Sequence, residues 1–294
     1  MFLHCAELKQ NEIVVLSRKP DEFTAEFPWV LTDKRIELLR GDVRDFEFPD
    51  ANFDYIYHGA TTSSRIIPDD EMRSVVIEGT RHVLDFAKQN KQLSKLLFVS
   101  SGAVYGKKYN IAVKEDFPCD PEDVYGRSKL DAEKLCLGSG IPCSIARCFA
   151  FVGEYLPLDA HFAIGNFIRD CLNNKSIVIK GDGTAIRSYL YAGDLAHWLW
   201  TILLHGEPGQ AYNVGSDHLI SIGKLAETVR NVAGTRNEIQ ILQTPSGAPP
   251  LCYAPDILRA RNKLGLEVST GLEEAIRKTI QHHRMRESRL LGRE

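Results

Sequence analysis

Short apolar runs alternate with longer amphipathic stretches through the first half of the chain. Five mostly apolar runs are typical of buried strands, at residues 13–16, 36–39, 55–58, 96–99 and 144–148. Apolar positions at helical spacing predict one helix over about 70–90 and another that ends near Leu137, before Gly138 and Gly140. Strands that alternate with helices indicate a parallel sheet covered on both faces. The pattern therefore predicts an α/β fold with a doubly wound parallel sheet.

The two ends of the chain have a different character. Residues 1–10 read as the tail of an amphipathic helix. After Gly153, glycine and proline divide the chain into short elements, which predicts a smaller C-terminal α/β lobe over the carboxyl ends of the strands. Ligands bind in that crevice in open α/β sheets. We expect one domain over 1–152 and a lobe over 153–294, with segments near 188–204 and 210–215 returning to the first domain.

Composition excludes several classes of partner. The net charge of -3 gives no reason to expect nucleic acid. No apolar run approaches about 20 residues and no signal peptide is visible, so we expect no membrane span or export. The seven cysteines are scattered without a C-x-x-C pair, which favours reduced thiols in a cytoplasmic protein. The nine histidines form no metal-binding spacing, and we expect no metal site.

A tyrosine and a lysine supply the candidate chemistry. Tyr125 and Lys129 are four residues apart on a predicted helix, and so share one face about 6 Å apart. Ser101 lies at a predicted strand tip, where its hydroxyl can hold a substrate oxygen against the phenol. A free phenol has a pKa near about 10, and a cation about 4 Å away would lower it by about 3. We therefore expect Lys129 to prepare Tyr125 for general acid–base catalysis.

One expected motif is not in the sequence. A doubly wound sheet binds a dinucleotide at its first strand–turn–helix, where glycines form the turn. Here the first glycine is Gly41, and no G-x-G-x-x-G occurs. We expect that the first strand and its phosphate loop are missing, which would open the middle of a sheet of order 3-2-1-4-5. The sequence then reads as a shortened or degraded copy of a longer protein; the alternative is a fold adapted to the loss of its cofactor.

Six segments occur in the order of a known family, at residues 41–45, 57–60, 99–106, 115–129, 181–196 and 212–215. With them, the chain from Ile13 onward resembles the extended short-chain dehydrogenase/reductase family of NAD(P)-dependent nucleotide-sugar epimerases, dehydratases and ketoreductases. The resemblance implies a Rossmann-like, NAD(P)-binding domain over 1–152 and a substrate-binding lobe over 153–294. It also implies a nucleotide-linked hexose as substrate and a homodimer.

The same resemblance assigns roles to individual residues. It implies catalysis by Ser101, Tyr125 and Lys129. It implies cofactor contacts by Tyr125 and Lys129 and by Ser17, Arg18, Asp42, Val43, Gly59, Ala60 and Ser100. It implies substrate contacts by Ser101, Asn166 and Arg187. His58 we interpret as a structural histidine at a strand end.

Departures from the family pattern narrow the activity. Family 4,6-dehydratases carry Asp-Glu directly after the position of Ser101, whereas this chain has Gly102 and Ala103, which cannot move a proton. Arg18, after the first visible strand, suits a 2′-phosphate and favours NADP(H). We therefore predict a 4-ketoreductase of a dTDP-, UDP- or CDP-linked 4-keto-6-deoxyhexose. The alternatives are a 4-epimerase with bound NAD and a catalytically impaired binding homologue.

Overall fold

The computed structural model describes residues 11–61, 67–160 and 162–290. The helix predicted over residues 1–10 lies outside this range. All five predicted strands and both predicted helices within it are confirmed, since each apolar run is long enough to form a buried element. The N-terminal elements are β1 Ile13–Ser17, α1 Pro20–Glu26, β2 Ile36–Arg40, β3 Tyr55–His58, α2 Asp69–Gln89, β4 Lys95–Ser101, α3 Val124–Leu137 and β5 Cys143–Cys148.

The C-terminal half consists of shorter strands between helices. Its elements are β6 Phe151–Val152, α4 Ala163–Leu172, β7 Ile177–Ile179, β8 Ile186–Arg187, β9 Leu190–Tyr191, α5 Ala192–His205, β10 Ala211–Val214, β11 Ile220–Ser221, α6 Ile222–Ala233, β12 Ile239–Ile241, β13 Cys252–Tyr253, α7 Leu258–Leu264 and α8 Leu272–Leu290. Short 3-10 helices cover Pro28–Leu31 and Gly102–Tyr105. In the ranges that the structure describes, no helix is apolar and long enough to cross a lipid bilayer.

The main sheet has four parallel strands in the order β10-β5-β4-β3. Side chains alternate between its faces, as a strand requires. Leu96 and Phe98 pack with α2 and α3 on one face, whereas Leu97 packs with α5 on the other. Both faces are therefore covered by helices, and the predicted Rossmann-like α/β architecture is confirmed.

The sheet is interrupted between β1 and β3. Among the described strands, β1 pairs only with β2, in a separate two-stranded parallel sheet, and β3 pairs only with β4. Tyr55 and Tyr57 on β3 are 39% and 43% exposed, unusual for aromatic residues in a parallel sheet. The opening that the sequence predicted in the middle of the sheet is present at this place. Leu16 of β1 still packs against the core formed by α2 and α3.

The C-terminal lobe has a core of its own, built from α4, α6 and α8 against β7. A three-stranded sheet of order β11-β8-β13 lies in the same half of the chain. Two later segments join the main sheet: α5 covers its second face, and β10 pairs with β5. The exact division of the chain into 1–152 and 153–294 stays a prediction.

Candidate active site

Ser101 is the last residue of the central strand β4. The chain turns there into a 3-10 helix, and the amide of Ala103 donates to the Ser101 hydroxyl at 3.1 Å. Ser101 is 7% exposed, and its neighbour Ser100 is 2% exposed. Both serines are therefore buried at the strand end, and Ser101 caps the turn that follows it.

The helix α3 approaches this strand end closely because of a glycine. A Cβ on Gly126 would lie 2.7 Å from the carbonyl oxygen of Ala103, closer than real Cβ contacts. Asp123 caps the helix by accepting a hydrogen bond from the Gly126 amide at 2.8 Å. The close approach and the cap put the first turn of α3, which carries Tyr125, against the turn that follows Ser101.

Lys129 does not prepare Tyr125 in the way that the spacing predicted. Its ammonium donates to the Val99 carbonyl at 2.7 Å and lies 6.0 Å from the centroid of the Tyr125 ring. Burial raises the pKa of Tyr125 to about 12, with a smaller opposing effect from the Ser101 hydroxyl. Burial also lowers the pKa of Lys129 to about 8. The expected lowering of the tyrosine pKa is wrong, because a buried ammonium needs an acceptor and finds it in the strand. Tyr125 is a proton donor at neutral pH.

A buried polar network lies beneath Ser101 and Lys129. Ser100 donates a hydrogen bond to Glu133 of α3. Arg147 of β5 binds the same carboxylate through Nη2 at 2.8 Å and Nε at 3.1 Å. The other guanidinium nitrogen donates to the Tyr105 hydroxyl at 2.9 Å, which in turn donates to Asn213 of β10 at 2.8 Å. The network therefore joins α3 to three strands of the main sheet.

Tyr253 is a site residue that the sequence did not reveal. It lies opposite Arg187 in the β13–β8 pair, and burial raises the pKa of its phenol well above the ordinary value. Its ring lies 5.1 Å from that of Phe149, and the Arg187 guanidinium carbon lies 5.9 Å from its centroid. Nothing marks this tyrosine in a proline-rich stretch, because only strand pairing brings it to the site.

The two predicted substrate residues of the lobe have different surroundings. The Arg187 guanidinium carbon lies 5.9 Å from the Tyr253 ring centroid, and its Nη1 donates to the Ile186 carbonyl at 2.7 Å. Asn166 accepts a hydrogen bond from Arg169 at 3.1 Å, and no described hydrogen bond joins it to Ser101 or Tyr125. Both substrate roles stay predictions.

The residues predicted to hold the adenosine end of a cofactor lie around β1 and β2. Arg18 is 54% exposed and its Nη1 is 4.0 Å from the Asp42 carboxylate. Asp42 accepts hydrogen bonds from the Arg44 side chain, which lowers its pKa to about 2. The Ser17 hydroxyl accepts from the Lys19 amide at 3.1 Å. Val43 is buried, and its carbonyl bonds to His82. These four predicted contacts therefore cluster at one end of the split sheet.

The remaining predicted cofactor residues lie at the ends of β3 and β4. Gly59 and Ala60 follow β3 directly. Because the Ser100 hydroxyl donates to Glu133, a cofactor contact by Ser100 would use its backbone. His58 bonds to Thr80 at 3.0 Å, and burial lowers its pKa to about 3. A neutral, hydrogen-bonded histidine agrees with the structural role expected for it.

No acidic side chain follows Ser101, and the space for one is occupied. A Cβ on Gly102 would lie 2.7 Å from the Phe149 ring. Glu133 is already bound by Arg147 and Ser100. Within residues 11–61, 67–160 and 162–290, no group of three potential metal ligands occurs. Near the end of β4 the structure therefore places the protonated phenol of Tyr125 and, on the same helix, the buried ammonium of Lys129.

Residues 3–215 match the model of the NAD dependent epimerase/dehydratase family. The chain belongs to this family. Curated relatives include UDP-glucuronic acid decarboxylase 1 of Danio rerio, 28% identical over 262 residues, which are 85% of this chain and 61% of that protein. UDP-glucuronic acid decarboxylase 6 of Arabidopsis thaliana is 29% identical over 266 residues, 86% of this chain and 75% of the relative. The chain thus spans less than two thirds of the zebrafish protein.

Solved structures of epimerase/dehydratase enzymes share the fold. UDP-glucuronic acid 4-epimerase from Bacillus cereus, in complex with NAD, has a TM-score of 0.83 at 23% identity, covering 94% of this chain and 92% of the other. dTDP-glucose 4,6-dehydratase from Bacillus anthracis, also with NAD, has a TM-score of 0.82 at 19% identity, covering 96% and 91%. Both crystal structures contain NAD.

The described residues of this family member fit the two ends of an NAD(P) molecule. An ammonium carries three donors, and the described hydrogen bond of Lys129 uses one of them, on Val99. The others suit the ribose hydroxyls beside a nicotinamide. Arg18, exposed at the end of β1, suits the far ribose or its phosphate. The printed sequence has no glycine-rich turn before β1, and no residue is assigned to the pyrophosphate.

Proposed function

We propose that this chain is an NAD(P)-dependent oxidoreductase of nucleotide-linked sugars, and specifically a 4-ketoreductase of a 4-keto-6-deoxyhexose. The observation that carries the proposal is the buried phenol of Tyr125, whose pKa of about 12 keeps it protonated, close to a strand end where no acidic residue follows Ser101. Reduction of a ketone consumes one proton and needs one donor. Elimination of water needs a further acid–base pair, which Gly102 and Ala103 cannot supply.

The protein residues have distinct tasks in this reaction. Bound NADPH supplies the hydride that reaches C4 of the sugar. Ser101 donates a hydrogen bond to the carbonyl oxygen, and Tyr125 transfers its phenolic proton to the same oxygen as the alcohol forms. Lys129 holds a ribose hydroxyl of the cofactor with the donors that Val99 does not use. Arg187 is placed to bind the diphosphate of the substrate, as a guanidinium does with two parallel hydrogen bonds.

The cofactor preference, assembly and location belong to the same proposal. Arg18 favours NADPH over NADH because its exposed guanidinium can pair with a 2′-phosphate. The free thiols among the described cysteines suit a reducing compartment such as the cytoplasm. A homodimer through α2 and α3 follows from the family resemblance. Comparing kcat/KM for NADPH and NADH in wild type and Arg18→Asp tests the first point, and light scattering tests the dimer.

The reaction is tested by NADPH oxidation with a dTDP-4-keto-6-deoxyhexose. Tyr125→Phe should lower kcat by about 10²- to 10⁴-fold, the usual contribution of a general acid. Tyr109→Phe is the matched control, since that phenol donates to the Pro118 carbonyl at 2.9 Å and its described ring contact is with Phe117, not with Ser101, Tyr125 or Lys129. We expect the control to keep wild-type kcat. An unchanged kcat in Tyr125→Phe would contradict the mechanism.

Two other outcomes would assign a different function. The 4-epimerase uses the same three residues, and interconversion of UDP-glucose and UDP-galactose with no ketone reduction would identify it. Release of carbon dioxide from UDP-glucuronic acid in the presence of NAD would place the chain with the decarboxylases to which it is similar. Thermal scanning with NADPH and with NAD provides the first measurement. No shift of Tm with either would favour the impaired binding homologue.

A further inference from the structure

Three contacts hold the helix α3 along the end of β4. Gly126 lies so close to the 3-10 helix after β4 that a Cβ there would be 2.7 Å from a carbonyl oxygen of that turn. One turn further along α3, the Lys129 ammonium donates to the Val99 carbonyl at 2.7 Å. After another turn, the Glu133 carboxylate accepts a hydrogen bond from Ser100. Residues three and four apart share one face of a helix, so the three contacts run down a single face of α3.

The hydrogen bond between Ser100 and Glu133 differs from the other two contacts in what its side chains do. In the proposed reaction Lys129 also binds the cofactor, and Gly126 contributes only packing. The Ser100 hydroxyl and the Glu133 carboxylate have no task of their own in that reaction. Both residues are 2% exposed, and Ser100 directly precedes Ser101. The bond therefore joins α3 to the strand end one residue away from the catalytic serine.

Arg147 of β5 fixes the carboxylate in this place. Its guanidinium donates to Glu133 through Nη2 at 2.8 Å and through Nε at 3.1 Å. Two such hydrogen bonds set the orientation of a carboxylate as well as its position. The oxygen that accepts from Nε, Oε1, also accepts from Ser100, since a carboxylate oxygen has lone pairs for two donors. The helix α3 and the strands β4 and β5 therefore meet at the Glu133 side chain.

We propose that Ser100 and Glu133 are positioning residues, whose hydrogen bond fixes the register of α3 along the end of β4. The bond thereby sets the placement of Tyr125 and Lys129 relative to Ser101. This inference rests on the proposed function, since it concerns the groups that carry out that reaction. A helix that shifts by one residue moves by about 1.5 Å along its axis, and a misplacement of about 1 Å can lower a rate by about 10²-fold. A small movement of α3 is therefore enough to impair catalysis while the fold stays intact.

Two serine variants separate positioning from stability. Ser100→Ala removes the hydrogen bond to α3 and leaves the pairing of Glu133 with Arg147 in place. The matched control is Ser144→Ala, because Ser144 is a fully buried serine of β5 whose hydroxyl also donates one hydrogen bond, to the Glu207 carbonyl at 3.2 Å. Each variant loses one buried hydroxyl and one hydrogen bond, so we expect a similar fall of Tm in both.

The two variants should differ in their kinetics. In NADPH oxidation with a dTDP-4-keto-6-deoxyhexose, Ser100→Ala should lower kcat by about 10- to 100-fold. KM should stay unchanged, because the placement of the phenol matters for the transition state and not for binding of the sugar. Ser144→Ala should keep both constants at the wild-type values. A purely structural role of Ser100 would not separate kcat from KM in this way.

A measurement without turnover separates this inference from the proposed reaction. Hydrogen–deuterium exchange of the free protein, followed by mass spectrometry, should rise in residues 101–106 and 124–130 of Ser100→Ala and stay at the wild-type level there in Ser144→Ala. Unchanged exchange in Ser100→Ala, an unchanged kcat, or equal losses of kcat in the two variants would overturn the positioning role. A wild type that reduces no ketone, together with the expected exchange in both variants, would overturn the reductase and leave the link between Ser100 and Glu133 standing.

Discussion

Arg147→Met tests whether the buried network under the site is a major source of stability. The Arg147 side chain is 10% exposed and that of Glu133 is 2% exposed. The substitution keeps an unbranched apolar side chain but removes the contacts of the guanidinium with Glu133 at 2.8 and 3.1 Å and with Tyr105 at 2.9 Å. Glu133 would then keep the Ser100 hydroxyl as its remaining described partner.

The expected cost follows from the burial of the remaining carboxylate. Removing one partner of a buried ion pair costs about 3–5 kcal/mol, because the other charge stays buried without compensation. Natural domains have about 5–15 kcal/mol of net stability, so Arg147→Met should lose about a fifth or more of it. Replacing both charges, in Glu133→Leu with Arg147→Met, should restore about 2 kcal/mol or more, since an apolar pair can substitute for a buried ion pair.

Urea denaturation followed by tryptophan fluorescence measures these differences. Trp198 is fully buried against the main sheet and should report its unfolding. Arg169→Met is the control, because that arginine also binds two carboxylates, of Asp159 and Asp170, but is 34% exposed. We expect the control to cost less than about 1 kcal/mol. A cost below about 1 kcal/mol in Arg147→Met, or no recovery in the double variant, would refute the reasoning.

Three further predictions concern other parts of the structure. Lys95→Met should lower the free energy of unfolding by about 1–3 kcal/mol, because it removes the buried ammonium that donates to the carbonyls of Leu204 and Gly206 at the end of α5. Thermal denaturation measures this loss, and an unchanged Tm would contradict it. The pKa of Lys129 is about 8 in the folded chain and about 10.4 in an unfolded one. Between these pH values the unfolded state binds more protons, so from pH 8 to 10 the free energy of unfolding of the wild type should rise by about 2 kcal/mol relative to that of Lys129→Met. A stability difference between the two proteins that stays constant with pH in urea denaturation would argue against the burial of this ammonium. Amides of β3 should exchange with deuterium faster than those of β4, which is paired on both sides; equal protection by mass spectrometry would mean that the β3 edge is covered.

The sequence was most informative where structure depends on local pattern. Apolar runs located the strands, and Tyr125 and Lys129 share a helix as their spacing predicts. Their electrostatic relation was wrong, since spacing on a helix says nothing of the Val99 carbonyl that receives the lysine. Local pattern therefore identifies the residues of this site better than it identifies their protonation.

Contacts between distant segments were beyond the reach of the sequence. The approach of Tyr253 to Phe149 depends on a two-residue strand, β13, which is too short to give a periodic signal. The pairing of Arg147 with Glu133 likewise joins a strand to a helix through a crossover. Cofactor preference, substrate contacts and assembly stay predictions because they depend on molecules that the chain alone does not contain.

The strand β4 is held at both ends by buried side chains. At its start, Lys95 bonds to the last carbonyls of α5, and near its end Ser100 bonds to Glu133 of α3. Between them, Leu96 and Leu97 are fully buried on opposite faces. Ser101 is thus carried by a segment with little freedom left to lose when a ligand arrives. The conformational entropy of this part of the site is already lost when the chain folds. Substrate binding therefore does not have to order it, and the affinity is higher for that reason.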